Sequence, residues 1–207
     1  MEKFTIINCH TEKYENDAAV LRNSLKRFNL NSQIELYKDQ GDWNTNLFQK
    51  PKFIKQKLEE LKSPVVWTDA DSILLQYPEL LNTLDCDVAI WRDWKNKIST
   101  GTIYFNYSEG AFNVLNHWID NYIAKKPDGD NLIKTLQEIA PFFMKRSTKK
   151  DKVKIARLPH TYYYWHIDDI LYKKLYNNEA TPDLKELNIV FAHTRGYNRY
   201  FKSKGLK

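Results

Sequence analysis

The stretch Val65-Val66-Trp67-Thr68-Asp69-Ala70-Asp71 places a run of apolar and β-branched residues directly before two carboxylates. The run is apolar enough to predict a central, buried strand of a largely parallel sheet. In open α/β sheets, ligands bind beyond the carboxyl ends of the strands. The small residue between the two acids lets the turn approach a ligand closely. We therefore expect a ligand site at this end of the strand.

The chemistry of the two acids, Asp69 and Asp71, points to a divalent cation. Carboxylates held this close together repel each other unless a cation lies between or beside them. Mg²⁺ or Mn²⁺ takes one or two carboxylates and completes its shell with water and phosphate oxygens. Such an ion would neutralise a diphosphate and make it a better leaving group. An Asp-x-Asp pair also occurs in ordinary strand-end turns, so the pair alone leaves that alternative open.

The surrounding pattern predicts the fold class. Strands alternate with helices through the first 70 residues, which favours an α/β domain with a mostly parallel central sheet. No repeat, low-complexity segment or linker is evident, so a single domain over residues 1–207 is expected. The predicted strands cover residues 4–9, 33–36, 65–68, 88–91, 102–105, 153–158 and 189–192, and the predicted helices cover 16–28, 51–61, 112–122 and 132–139, with a polar loop at 37–50.

Composition and charge restrict the function classes. No run approaches the roughly 20 apolar residues of a membrane span, and the N-terminus enters a strand-like segment at once, so no signal peptide is expected. Two cysteines do not make a disulfide framework, and a cytoplasmic setting is the simplest expectation. Residues 145–207 contain 15 Lys/Arg against 6 Asp/Glu. This basic C-terminal third indicates an anionic partner, or else a solvated face that keeps the protein soluble.

Several further motifs give the acid pair a context. Lys50-Pro51 precedes the strand, and Ser99-Thr100-Gly101 leads into the apolar run at residues 102–105. Asp130-Asn131 and Phe191-Ala192-His193 follow in order. Together these segments resemble the landmarks of GT-A fold nucleotide-diphospho-sugar transferases, the glycosyltransferases with an Asp-x-Asp motif, and most of all their retaining families. The resemblance covers roughly residues 1–196 and implies a Rossmann-like three-layer domain of GT-A type.

The resemblance implies a metal-dependent transferase. Asp69, Asp71 and His193 would hold Mn²⁺ or Mg²⁺, with Asp69 also able to bind the donor ribose. Asp130 would be the acid that faces the transferred sugar, although it could equally cap a helix. The donor would be a nucleotide sugar, most readily a UDP-sugar. The acceptor could be a glycan, a protein, a small molecule or DNA.

The resemblance also implies donor-binding residues. Lys50 would lie near the nucleotide site at the start of a helix, and Thr100 and Gly101 would offer backbone groups to the donor. The chain departs from the family pattern after His193, where the usual Lys-Pro-Trp is missing. Arg195 and Arg199 could replace it as the cations that clamp the diphosphate.

Two alternatives come from the same residues. Asp69 begins a segment that also matches haloacid-dehalogenase-type phosphatases, in which this aspartate attacks phosphorus. That motif normally ends the first strand, whereas a β-α-β-α stretch precedes it here. A basic, aromatic C-terminal third could instead bind nucleic acid without catalysis. The aromatic segment at residues 160–169, with His160, His166, Asp168 and Asp169, lacks zinc spacing and suits an acceptor-side wall.

Overall fold

A computed structural model describes residues 3–124, 126–146, 149–164 and 188–193. Its strands are β1 (Thr5–His10), β2 (Ser32–Leu36), β3 (Val65–Thr68), β4 (Ser72–Leu74), β5 (Val88–Arg92), β6 (Ile98–Phe105), β7 (Ile155–Arg157) and β8 (Phe191–His193). Six of them form the central sheet in the order β2-β1-β3-β6-β5-β7, and β4 and β8 form a second, two-stranded sheet. β1 is parallel to β2 and β3, β5 is parallel to β7, and β6 is antiparallel to both of its neighbours. This confirms the mostly parallel sheet.

Helices cover both faces of the sheet. The apolar stripe of α1 packs on one face with alternate residues of β1, β3 and β6. The stripes of α2, α3, α4 and α5 pack on the other face, over the remaining strand residues. This arrangement confirms the three-layer α/β fold. The helices are α1 (Glu15–Lys26), α2 (Trp43–Leu61), α3 (Glu109–Asp120), α4 (Asp128–Ile139) and α5 (Pro141–Met144).

The helix before β3 is longer than predicted. A polar loop over residues 37–50 and a helix opening at Pro51 were expected, but α2 begins at Trp43 and contains Pro51 in its interior. The Asp42 carboxylate accepts hydrogen bonds from two backbone N–H groups in the first turn, which satisfies donors that have no partner within the helix. This cap starts the helix two turns before the proline. Lys50 therefore lies in the middle of α2 and not at its start.

The strand ends that matter for ligand binding all lie along the side of the sheet where the parallel strands have their carboxyl ends. Because β6 is antiparallel to its neighbours, it begins on the side of the sheet where β1, β3, β5 and β7 end. After Asp71 the chain enters β4, which pairs antiparallel with β8 and places His193 opposite Ser72. The second sheet thus returns a residue from the far end of the described chain to the edge where β3 ends.

Two further observations concern the rest of the chain. Cys9 and Cys86 are both free thiols, and burial raises the pKa of Cys9 to about 12 and that of Cys86 to about 11. Within the described ranges, no helix combines the length and the apolar character needed to cross a bilayer. The prediction of a single domain reaches beyond the described residues and stays a prediction.

Candidate active site

Three side chains predicted as metal ligands converge at the carboxyl end of β3. One ligand atom from each of Asp69, Asp71 and His193 lies within 4.8 Å of the other two. An octahedral ion holds its ligands at about 2.1 Å, so opposite ligands are about 4.2 Å apart. Small side-chain shifts would let these three atoms close on one ion. Two carboxylates and an imidazole suit Mn²⁺ or Mg²⁺ better than a thiolate-preferring metal.

His193 is held in a buried and neutral state. Its Nδ1 lies 3.0 Å from the Ser72 hydroxyl and its Nε2 lies 3.1 Å from the Thr102 hydroxyl. Burial lowers the pKa of His193 to about 4, so the ring keeps a lone pair at neutral pH. A neutral imidazole is the form that binds a metal. A ring nitrogen that turned to an ion would leave the other bonded to a hydroxyl, which orients the ring.

Lys50 links the metal-ligand cluster to the start of α4. Its Nζ donates to Asp69 Oδ1 at 2.9 Å, to Asp128 Oδ2 at 2.6 Å and to the Thr100 carbonyl at 3.3 Å. Burial alone would lower the pKa of Lys50, but the charges of Asp128 and Asp69 outweigh burial and raise it. The ammonium is therefore a fixed positive charge inside the site. Asp69 Oδ1 also accepts from Trp67 Nε1 at 2.9 Å, so Oδ2 is the oxygen that can face an ion.

The acid that contacts this network is Asp128 and not Asp130. Asp128 Oδ2 accepts from the Thr100 hydroxyl at 2.8 Å as well as from Lys50. Burial would raise the pKa of Asp128, but Lys50 and then Thr100 hold it below the ordinary value. Asp130 is exposed in the first turn of α4. Its alternative role as the helix cap is wrong, because α4 begins at Asp128 and Pro127 occupies the cap position.

Gly101 is needed because the site leaves no room for a side chain. A Cβ at this position would lie 2.7 Å from His193 Cε1 and 2.8 Å from Tyr163 Cε2. The Gly101 carbonyl also accepts a hydrogen bond from the Asp69 backbone N–H at 2.9 Å. The glycine therefore lets β6 approach both the Asp-x-Asp turn and the imidazole. The sequence predicts Gly101 near the donor and contains no signal for its contact with His193.

Other residues of the site were not predicted. Trp67 was assigned only to a buried strand, yet its indole N–H orients Asp69. The sequence predicts Asn131 only as the residue after a sugar-side acid, whereas its buried amide forms hydrogen bonds with the backbone of Ile123, Lys126 and Pro127. Those bonds fix the turn that leads into α4. No local sequence pattern announces either contact, because each joins elements that meet only in the folded chain.

The aromatic segment contributes its first residues to the site. Tyr163 packs on His193 with ring centroids 4.7 Å apart, and it lies 5.2 Å from the Trp91 ring. His160 lies 5.7 Å from Trp91 on the same side. An aromatic wall therefore runs from the metal-ligand cluster towards the end of β5. The later residues of the segment, His166, Asp168 and Asp169, and the two predicted clamp residues, Arg195 and Arg199, lie outside the described residues.

Comparisons with known proteins agree on the fold. No family model matches the sequence, and no curated protein matches it. Among solved structures, a glycosyltransferase involved in the glycosylation of the major capsid of PBCV-1 aligns over 99% of this chain and 98% of its own, at 12% identity and a TM-score of 0.60. The glycosyltransferase GlyE of Streptococcus pneumoniae TIGR4 aligns over 93% of this chain at 15% identity and a TM-score of 0.55. This chain spans 54% of the GlyE chain.

A third structure, an active-site mutant of LgtC, aligns over 97% of this chain and 95% of its own, at 9% identity and a TM-score of 0.50. Identities this low carry information about the fold and not about the substrates. The GT-A type fold predicted from the Asp-x-Asp strand and its ordered landmarks is thereby confirmed. The chain has the GT-A fold of these solved glycosyltransferases.

Proposed function

We propose that this chain is a metal-dependent glycosyltransferase that moves a sugar from a nucleotide-diphosphate sugar, most readily a UDP-sugar, to an acceptor. One observation carries the proposal. Asp69, Asp71 and His193 meet within 4.8 Å at the ligand-binding edge of a GT-A sheet. A phosphatase or a simple binding module has no need for this combination of fold and ligand set.

Different residues of the site are proposed to bind the metal ion, to stabilise negative charge and to hold the diphosphate. The bound ion would supply charge neutralisation at the diphosphate. Asp69, Asp71 and His193 would hold the ion, and the fixed ammonium of Lys50 would add positive charge close to the departing nucleotide. Arg195 and Arg199 are proposed as the outer clamp of the diphosphate.

Two acids in the first turn of α4, two residues apart, are candidates for the sugar-side acid. Asp128 touches Lys50 and Thr100, whereas Asp130 is exposed in the same helical turn. We propose that Asp128 orients the donor sugar through Lys50 and Thr100, and Asp130 stays the candidate for direct contact with the sugar. Comparing Asp128→Asn with Asp130→Asn in steady-state kinetics separates them, because the residue that touches the sugar should lower kcat the more.

The phosphatase alternative is disfavoured by the state of Asp69. A nucleophilic carboxylate must present an oxygen to phosphorus. Asp69 Oδ1 is occupied by Lys50 and Trp67, which leaves Oδ2 alone to serve either the metal ion or an attack on phosphorus. The aspartate also follows the third strand of the chain and not the first. A trapped aspartyl-phosphate at this residue would revive the alternative.

A donor screen tests the proposal. Nucleotide sugars are offered with Mn²⁺, and nucleoside diphosphate release is followed without an acceptor, since transferases of this kind slowly hydrolyse their donors. We expect release with one donor class, abolished by chelation and reduced at least about 100-fold in Asp71→Asn. Product anomers observed by NMR would test the expected retention of configuration.

The matched control is Asp85→Asn, which changes a carboxylate that is 94% exposed and far from the Asp-x-Asp turn. It should leave diphosphate release unchanged. If no nucleotide sugar binds in the presence of Mn²⁺, or if Asp71→Asn turns over donor normally, the proposed function is wrong. Once donor turnover is established, the acceptor can be identified by a screen that includes glycans, proteins, small molecules and DNA.

A further inference from the structure

A nearly sealed arginine lies at the end of β5 with part of its guanidinium unsatisfied. Arg92 is 6% exposed, donates from Nη1 to the Phe143 carbonyl, and lies over the Phe143 ring at 4.2 Å. Its Nε is buried and has no hydrogen-bond partner among the described residues. A buried donor without an acceptor is costly. The position therefore calls for an acceptor group from outside the described chain.

Two more arginines surround Arg92. Arg146 donates from Nη2 to the Asp93 carbonyl at 2.8 Å, which places it beside the end of β5. Arg157 ends β7, the strand that pairs with β5. Burial, and then the charges of Arg146 and Arg157, lower the pKa of Arg92. Like charges gathered in this way repel one another, so an anion between them would be stabilised.

The chain does not supply that anion itself within the described ranges, where none of the three arginines has a carboxylate ion-pair partner. The two acids nearest in sequence bind backbone groups instead. Asp93 Oδ1 accepts from the Lys97 backbone N–H, and Asp151 accepts from the backbone N–H groups of Phe142 and Phe143 at the start of α5. Residues 145–157 contain seven Lys/Arg and one acid, Asp151. Among the described residues, the three guanidinium groups therefore lie close to acids without forming an ion pair with any of them.

An exposed aromatic ring follows Arg92 by two residues in the chain. Trp94 lies in the hairpin between β5 and β6 and is 73% exposed, with Lys95 Nζ 4.7 Å from its ring centroid. Asp93 closes this hairpin through backbone and side-chain bonds to Lys97, and the Asp93 carbonyl also anchors Arg146. A flat exposed ring on the same hairpin end as a guanidinium group offers a face for a sugar, while the guanidinium group offers donors for its charged substituent.

The position of this cluster relates it to the metal-ligand site. β5 is two strands away from β3 in the sheet, and Arg92 pairs with Ile98, three residues before Gly101. With strands about 4.8 Å apart and about 3.3 Å per residue, the backbone of Arg92 lies roughly 10–15 Å from that of Asp69. The cluster therefore shares an edge with the site but is too far away to hold the donor diphosphate.

We propose that Arg92, Arg146 and Arg157 bind a phosphate or carboxylate group on a saccharide acceptor whose sugar ring packs on Trp94. The identification of the ligand as a sugar acceptor rests on the proposed function, but binding of the anion can be measured independently of that function. A small anionic group fits better than a polyanion, because Arg92 is only 6% exposed and presents too little of its guanidinium group to an extended phosphate backbone or a lipid surface.

Titration with inorganic phosphate tests the anion site directly. Calorimetry is carried out at constant ionic strength and with a chelator present, so that the metal-ligand site does not contribute. We expect saturable binding, weakened at least about 10-fold in the double variant Arg146→Gln/Arg157→Gln. These two exposed arginines are chosen because replacing buried Arg92 could unfold the end of β5. The matched control, Lys26→Gln, removes an exposed cation at the opposite edge of the sheet and should bind phosphate normally.

Kinetics then test the acceptor. Matched saccharides that carry a phosphate, a carboxylate or neither are compared. The double variant should raise KM about 10-fold for one charged saccharide, leave the neutral one unchanged, and leave donor hydrolysis intact. Trp94→Ala should raise KM for charged and neutral saccharides alike.

Three results would separate the possible failures. Absence of phosphate binding to the wild-type chain overturns the inference whatever the activity. Phosphate binding without any donor hydrolysis keeps the anion site and overturns the proposed function. A third result is that phosphate does not bind, whereas a DNA duplex or anionic vesicles bind to the wild-type chain and not to the double variant. In that case the cluster is a surface for polyanions and the inference is wrong.

Discussion

Replacing Gly101 by alanine should damage metal binding through a steric contact with His193. The new Cβ would lie 2.7 Å from His193 Cε1 and 2.8 Å from Tyr163 Cε2, whereas carbon atoms pack at about 3.5 Å or more. The imidazole would have to move by about 0.8 Å, and hydroxyls on both ring nitrogens resist that movement. Overpacking of this kind costs about 1–3 kcal/mol of unfolding free energy.

The displaced ring should also bind metal less well. Disturbing the groups that orient a metal ligand typically weakens affinity about 10–100-fold, which corresponds to about 1.4–2.7 kcal/mol. Mn²⁺ affinity is measured by calorimetry or electron paramagnetic resonance without donor, and stability by urea denaturation.

Gly110→Ala is the matched control for the same substitution. Its Cβ would lie 2.3 Å from the Asp87 carboxyl group, away from the Asp-x-Asp turn. It should lower stability but leave Mn²⁺ affinity unchanged. Normal Mn²⁺ affinity in Gly101→Ala would refute the argument that His193 is a ligand held in place against this glycine.

Three further predictions concern charge and hydrogen bonding. Lys50→Met should lower the free energy of unfolding, measured by urea denaturation, by about 3 kcal/mol, since it leaves two carboxylates without their shared cation. The control Lys55→Met removes a surface ion pair and should change the free energy of unfolding by less than about 0.5 kcal/mol. Equal effects of the two substitutions would contradict the bridging role of Lys50. Trp67→Phe should weaken Mn²⁺ binding about 10-fold, because the indole N–H that orients Asp69 is lost. Unchanged Mn²⁺ affinity would rule out this orienting role. The Arg22 hydrogen bond, and then His10, lower the pKa of Glu15 to about 2. A folded pKa below the unfolded value stabilises the protein above about pH 4.5, and this stability is lost as the pH falls towards 2. In Glu15→Gln, the free energy of unfolding should therefore fall less steeply as the pH is lowered from about 4.5 towards 2. The difference from the wild-type chain should be less than about 1 kcal/mol, because the carboxylate is half exposed. The same pH dependence in both proteins would count against the ion pair.

Local sequence determined the elements around the acid pair. The run from Val65 to Thr68 was predicted as a strand with its observed bounds, because four consecutive buried residues before a polar turn have few other solutions. The α2 start was missed although Asp42 carried the signal, since an N-cap acid outranks a proline that a long helix can absorb. The order of the landmarks along the chain was enough to predict the GT-A fold.

Tertiary structure decided which side chains meet. Asp128 and Asp130 differ by about 200° around a helix, so only the helical phase, which Asn131 fixes through its bonds to the preceding turn, selects the one that reaches Lys50. His193 reaches Asp69 only because β8 pairs with β4 across more than a hundred residues. A sequence specifies helices and strands through contacts between near neighbours, whereas a site is built from contacts between distant ones, and those depend on how the layers pack.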